Sequence, residues 1–339
     1  RTHAACTVLG PDTVGKRVVE RIARKSPWGP LVVADAHVHF FSRHFFELLA
    51  VQKPGLTVEA MQNQLDWQFP PAAPEALAET WARELDRHGV DQAALIASLP
   101  GDHGSVTAAV RAHPDRFFAF AMVNPRNWQP EALSEVRVAC LFPAMHGYSI
   151  QDGIVEPVLE WAAQGKRAVF VHCGALSVGV RQKLGLPSVF DIRLSNPADL
   201  HAVAARYPQV LFIVPHFGAG YFREALMLAD LCPNVYLDTS STNRWMRYHA
   251  PHLDLRAVFR AVEIDEAIDQ PLHQGRRPIP VDRRAEDDGG AGGAQRAPVA
   301  CIATYCRALP WEVNATGIHH HHRARDDGER PCHYQTGRA

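Results

Sequence analysis

The residues best suited to chemistry are histidines placed where short apolar runs end. The first group is Asp35-Ala36-His37-Val38-His39-Phe40. In an extended strand, residues two apart point to the same side, so both imidazoles can face one point. Two imidazoles on one point are a natural grip for zinc or a similar ion. With 19 histidines in 339 residues, a His-x-His pair is expected by chance roughly once. The preceding β-branched run and Asp35 lower that chance, and a pair of plain core or surface histidines becomes the weaker reading.

His172 ends Val169-Phe170-Val171-His172-Cys173-Gly174, and His216 ends Phe212-Ile213-Val214-Pro215-His216-Phe217-Gly218. An ionisable group at the end of an apolar strand needs a partner. One such histidine is more often a hydrogen-bonded core residue. Two of them, each followed within two residues by glycine, fit a shared site better.

Such convergence requires elements that bring distant strand ends together. Apolar runs occur at Leu31–Phe40, Gln92–Leu99, Phe117–Pro125, Val136–Ala144, Arg167–Gly174, Gln209–Gly218 and Asn234–Ser241. Helical periodicity fills the spaces at Pro74–His88, Ser105–His113, Val155–Gly165, Pro197–Tyr207 and Tyr221–Cys232. Strand alternating with helix predicts a parallel sheet covered by helices, with strands apolar on both faces. An open, doubly wound sheet satisfies the same alternation. Polar residues at the C-terminal ends of several strands favour a TIM-type (β/α)8 barrel, whose chemistry sits on that face. Seven strands are countable, and the eighth strand unit is not recognisable.

The chain divides into an N-terminal extension (1–30), the barrel unit (31–262) and a tail (263–339). The first residue is Arg1, which reads as a fragment or processed product. No lysine follows Lys183, and Gln274–Pro298 is dense in Arg, Pro, Asp, Gly and Ala. That composition reads as disordered chain or as a gene translated out of frame. His319–His322 lies in this tail, where any histidine tract picks up metal without a catalytic role.

A formal net charge of −1 argues against a nucleic-acid partner. No apolar run approaches the roughly 20 residues of a membrane span. The cysteines, seven in all, are scattered, with Cys140 and Cys173 inside apolar runs. They predict a reducing, cytoplasmic setting and no activated thiol.

These runs together resemble an amidohydrolase-related family, the metal-dependent hydrolases of the aminocarboxymuconate-semialdehyde decarboxylase kind. The matching runs are Asp35–Phe40, Gly89–Gly101, His113–Pro125, Val171–Gly174, Pro215–Gly220 and Cys232–Ser241, spanning about residues 31–262. The resemblance implies that His37, His39 and His172 bind one divalent metal, with zinc the first choice, and that His216 transfers protons. It also implies a fourth ligand, an aspartate ending strand eight, and no residue here fills that description: Asp265, Asp269 and Asp282 do not end apolar strands. The strand-four run Val138–His146 has no lysine, which favours one metal over two.

Around these positions Phe41, His146, Tyr148 and Asp238 are candidates for substrate contact, with Phe40 and Phe41 as apolar wall. Asp238 could equally hydrogen-bond a ligand histidine or cap the next segment. Trp67, Phe69 and Trp81 could form a lid, although core packing is the safer expectation. The expected activity is hydrolysis of a small organic acid, ester, lactone or amide through metal-activated water. The alternatives are non-oxidative decarboxylation at the same site and an inactive, incomplete barrel. The expected partner is a small molecule, with neither nucleic acid nor membrane, and homodimers are common in the family.

Overall fold

A computed structural model of the chain describes residues 32–238, 240, 243–250, 253–254, 257–258, 261 and 299–301. The extension and, apart from those last three residues, the tail therefore lie outside the described residues. Strands β1 (Val32–His39), β2 (Gln92–Ala97), β3 (Phe117–Met122), β4 (Val138–Leu141), β5 (Ala168–Val171), β6 (Leu211–Val214) and β7 (Val235–Leu237) pair in chain order, all parallel. Val299–Cys301 (β8) lies parallel on the other side of β1, with Val32 opposite Val299. Among the described residues no pairing joins β8 to β7. Parallel neighbours taken in sequence order are what successive right-handed βα units produce. The fold is therefore an α/β, TIM-type barrel whose eighth unit is described only through β8, and β8 carries no acidic residue.

Strand parity sorts the core into two layers. Ala94 and Ile96 of β2, Phe118, Phe120 and Met122 of β3, Val138 and Cys140 of β4, and Phe170 of β5 form one buried cluster inside the curl. The alternate residues, such as Leu95, Phe117, Ala139, Val169 and Phe212, pack beneath the helices in a second cluster. Each large side chain fully buried in either layer contributes roughly 1.5–3 kcal/mol.

The helices follow from local signals. Pro74–His88 begins with proline at its first turn and ends at Gly89, whose φ of 72° closes it in the left-handed region. Its buried face is Leu77, Ala78, Trp81, Ala82 and Leu85, the spacing of one helical stripe. Two helices that periodicity does not reveal, Arg43–Ala50 and Val58–Leu65, fill the β1–β2 connection. They are eight residues each, too short to repeat a pattern, and are announced instead by their caps Ser42 and Thr57. The expected helix at Pro197–Tyr207 divides into a 3-10 turn, Pro197–Leu200, and an α-helix, His201–Arg206.

Trp67 and Trp81 are buried in the outer core layer, and Phe69 stacks on Phe46 at 4.1 Å. They pack as core and form no lid. Cys140, Cys173 and Cys232 are free and buried, and burial pushes all three thiols up, away from the nucleophilic thiolate. Among the described residues no helix is long and apolar enough to cross a membrane.

Candidate metal centre

The histidines reach the mouth of the curl by two routes. Val38 and Phe40 belong to the outer layer. Their neighbours His37 and His39 therefore face inward, and His37 meets Phe170 edge-on at 5.4 Å. His172 continues the inward side of β5 two residues past Phe170 and stacks on Phe142 at 5.1 Å. His216 arrives differently. Phe212 and Val214 face the helices, so strict alternation would send residue 216 the same way. The chain instead leaves extended geometry, with φ of 56° at His216, 50° at Phe217 and 42° at Ala219. Non-glycine residues in that region cost on the order of 1–3 kcal/mol each, and such strain collects at functional sites. The turn sets the His216 ring 5.0 Å from His37 and 5.5 Å from His172, between ring centres.

Neighbouring backbone is shaped to accept this turn. Phe217 N–H donates to the Asp238 carbonyl, and Ala175 N–H donates to the Ala219 carbonyl, each at 2.9 Å. Gly174, with φ of 75°, lies so close that a Cβ there would overlap the carbonyl oxygens of Gly218 and Ala219. The glycine after His172 therefore makes room for the turn that carries His216.

Hydrogen bonds assign the ring protons. His37 Nδ1 lies 2.6 Å from Asp238 Oδ2, a buried carboxylate that can only accept. His216 Nδ1 lies 3.0 Å from the Ser240 carbonyl, again an acceptor. Both rings therefore carry a proton on Nδ1, and the neutral form of each presents a lone pair at Nε2. Ser240 Oγ lies 2.9 Å from each of these two Nδ1 atoms. His39 Nδ1 lies 2.7 Å from Ser98 Oγ, and the Nε2 atoms of His37 and His39 are 3.3 Å apart.

The electrostatics disfavour a charge on His39, His172 and His216. Burial, then the charge of neighbouring histidines, lowers His39 from 6.5 to about 3. Burial followed by His37 lowers His216 to about 4, and burial followed by His216 holds His172 well below its ordinary value. Asp238 moves the other way: burial would raise it, but His37, His216 and Ser240 outweigh that and hold it at about 2. The site sets a buried carboxylate beside His37, with His39, His172 and His216 held as neutral imidazoles.

This donor set fits a divalent ion. Neutral imidazole is the ligating form, and Nε2 of His172 is buried without any hydrogen-bond partner, a costly arrangement unless a ligand satisfies it. Among the described residues no group of three His, Cys, Asp or Glu stands at spacing ready to hold an ion. The donors are gathered but not drawn in.

The other expected site residues divide. Phe41 stacks on His39 with centroids 5.5 Å apart and planes 5° from parallel. Asp238 has one oxygen on His37 and the other on the Ser240 N–H, so it holds a histidine and caps its own turn. His146 rests against Phe142 and Tyr148, and its buried Nδ1 has no partner. Tyr148 packs among the buried residues of the outer layer. Ser98, Ser240 and Phe142 are the participants that sequence reasoning missed. Strand parity could have found Ser98, which follows Ala94 and Ile96 on the inward face of β2.

Comparison with known proteins gives a short match to Protein fluG of Emericella nidulans, 52% identical over 50 residues. It covers 14% of this chain and 6% of that protein. Similar solved structures include 5-carboxyvanillate decarboxylase from Sphingomonas paucimobilis, 15% identical over 66% of this chain and 85% of that one, TM-score 0.40. Another is 4-oxalomesaconate hydratase from Rhodopseudomonas palustris, 16% identical over 68% and 78%, TM-score 0.41. A third is dihydroxybenzoic acid decarboxylase from Polaromonas sp. JS666, with bound manganese and 2-nitroresorcinol, 14% identical over 63% and 80%, TM-score 0.40. A sequence model of the amidohydrolase family matches residues 34–268, well over half of the chain, and the chain belongs to that family.

Proposed function

We propose that this chain is a metal-dependent hydrolase for a small organic acid, ester, lactone or amide. In this reading His37, His39 and His172 hold one divalent ion, zinc the first choice, and His216 moves the proton. The observation that carries it is the facing pair of Nε2 atoms, 3.3 Å apart. The His37 ring has its proton committed on the far side to Asp238. With the His39 proton on Nδ1, toward Ser98, the two Nε2 atoms are facing lone pairs that repel each other unless a cation stands beside them. When bound, the ion supplies Lewis acidity and brings the pKa of water toward neutrality.

The protein's own groups supply the rest. His216, neutral and with Nδ1–H held by the Ser240 carbonyl, has Nε2 available to accept a proton from an attacking water and return it to a leaving group. Asp238, held ionised, keeps His37 in the ligating tautomer. Phe41 and Phe142, each stacked on a histidine, form apolar walls that exclude water.

The test is to purify the chain, measure metal per chain, and follow two products separately. Proton release from esters and lactones, or free amine from amides, of small organic acids is expected with about one ion bound. Carbon dioxide release from cyclic and unsaturated carboxylic acids, with no proton release, would replace hydrolysis by decarboxylation at the same site. Far less than one tightly held ion, with neither product, would instead mark an inactive, incomplete barrel.

A further inference from the structure

We propose that Ser98 is a positioning residue that fixes the ring tautomer of His39 and thereby aims its Nε2 lone pair at the centre of the site. Nothing in the proposed mechanism uses Ser98, yet it is buried at the mouth. Parallel pairing sets His39 opposite Ile96 in β2. Ser98 lies two residues beyond Ile96, on the face that Ala94 and Ile96 turn inward. A side chain at that register meets the His39 ring from the side away from His37, and Ser98 Oγ is 2.7 Å from His39 Nδ1.

The direction of this hydrogen bond decides the tautomer. A hydroxyl has one proton to give and two lone pairs. The Ile96 carbonyl, 3.2 Å from Ser98 Oγ, can only accept, and we assign the Ser98 proton to it. Toward His39 the oxygen therefore accepts, and the ring proton sits on Nδ1. Nε2 then bears the lone pair, and it is this atom that faces His37 Nε2. Asp238 performs the same service for His37 from β7, so the two rings are fixed from opposite sides by unlike groups. The neutral acceptor leaves His39 without a charged partner, whereas His37 has one.

The tautomer part stands on hydrogen-bond geometry alone; only its consequence for metal rests on His39 being a ligand. The experiment measures both. Nitrogen-15 NMR of the imidazoles in metal-free protein should show His39 as the Nδ1–H tautomer in the parent. Ser98→Thr, which keeps a hydroxyl, should retain it, and Ser98→Ala should lose it in favour of a mixture or of Nε2–H. Zinc titration against a competing chelator should then show affinity about 10–100-fold weaker in Ser98→Ala and close to the parent in Ser98→Thr. Urea unfolding of each variant identifies any that fails to fold, in which case Ser98→Cys takes the place of alanine. His39 found as Nε2–H in the parent, or as Nδ1–H in the parent and Ser98→Ala alike, overturns the proposal. A tautomer that moves as expected in a protein that binds no zinc at all would support the positioning role and defeat the metal reading instead.

Discussion

The single proton on the His216 ring sits on the nitrogen held by the Ser240 carbonyl, and this settles what the other nitrogen can do: it can accept. Asparagine at 216 keeps polarity and approximate size but offers no basic nitrogen, so turnover of a hydrolysed substrate should fall by about 10²–10⁴ in His216→Asn. Metal content should stay at the parent level, because the proposed ligands are untouched. Steady-state kinetics together with metal analysis checks this, and loss of metal in step with activity would move His216 into the ligand set. Residue by residue, legibility followed strand parity. His37, His39 and His172 could be placed because each prolongs the inward side of an apolar strand. Ser240 could not, since its partners His37 and His216 are 203 and 24 residues away and only the finished curl unites them. Nor was the turn at His216 legible, because its positive φ falls on histidine, phenylalanine and alanine, which do not advertise it.

Asp102 does its work between elements. It is buried between the connections that leave β1 and β2, and it accepts hydrogen bonds from Ser42 Oγ at 2.8 Å and Ser105 Oγ at 2.6 Å. Ser42 in turn caps the helix Arg43–Ala50 by accepting from the Phe45 N–H. One carboxyl group thus ties two loops at the mouth of the site. Burial pushes it from 3.8 up to about 6, although Ser105 and Ser42 pull it part of the way back. A raised carboxyl pKa means that folding favours the protonated form. Its contribution to stability is full below the unfolded value near 3.8 and is lost as pH rises through about 6. That interval corresponds to roughly 3 kcal/mol. Asp102→Asn cannot titrate there, so the stability of the parent minus that of the variant should fall by about this amount from pH 4 to 7 in urea unfolding. A difference that grows with pH would show that the two serine hydroxyls outweigh burial. None of this linkage was visible in the chain, where Asp102 is one acid among many in a loop. The strands and long helices were visible because both faces of each strand and one stripe of Pro74–His88 are apolar; the short helices after β1, stabilised by caps and packing, were not.

For the molecule as a whole, the decisive relation is that the proposed ligands stand on β1 and β5, which are four strands apart in the sheet. An ion held by both would join parts of the curl that no described backbone pairing links directly. Such a ligand, absent from the unfolded chain, stabilises the folded state by mass action, roughly 2.7 kcal/mol at a hundred times its dissociation constant. For a chain of this size that is a rise of several degrees in unfolding temperature. Thermal unfolding should therefore shift upward on adding zinc and return on adding a chelator. In His172→Ala, where β5 contributes no imidazole, the shift should be largely lost. An equal shift in parent and variant would mean that the ion binds elsewhere, the His319–His322 tract being the obvious place, and a chain shortened before that tract would separate the two sites. No shift in the parent would mean that the gathered histidines, the unpartnered His172 nitrogen included, do not close on an ion.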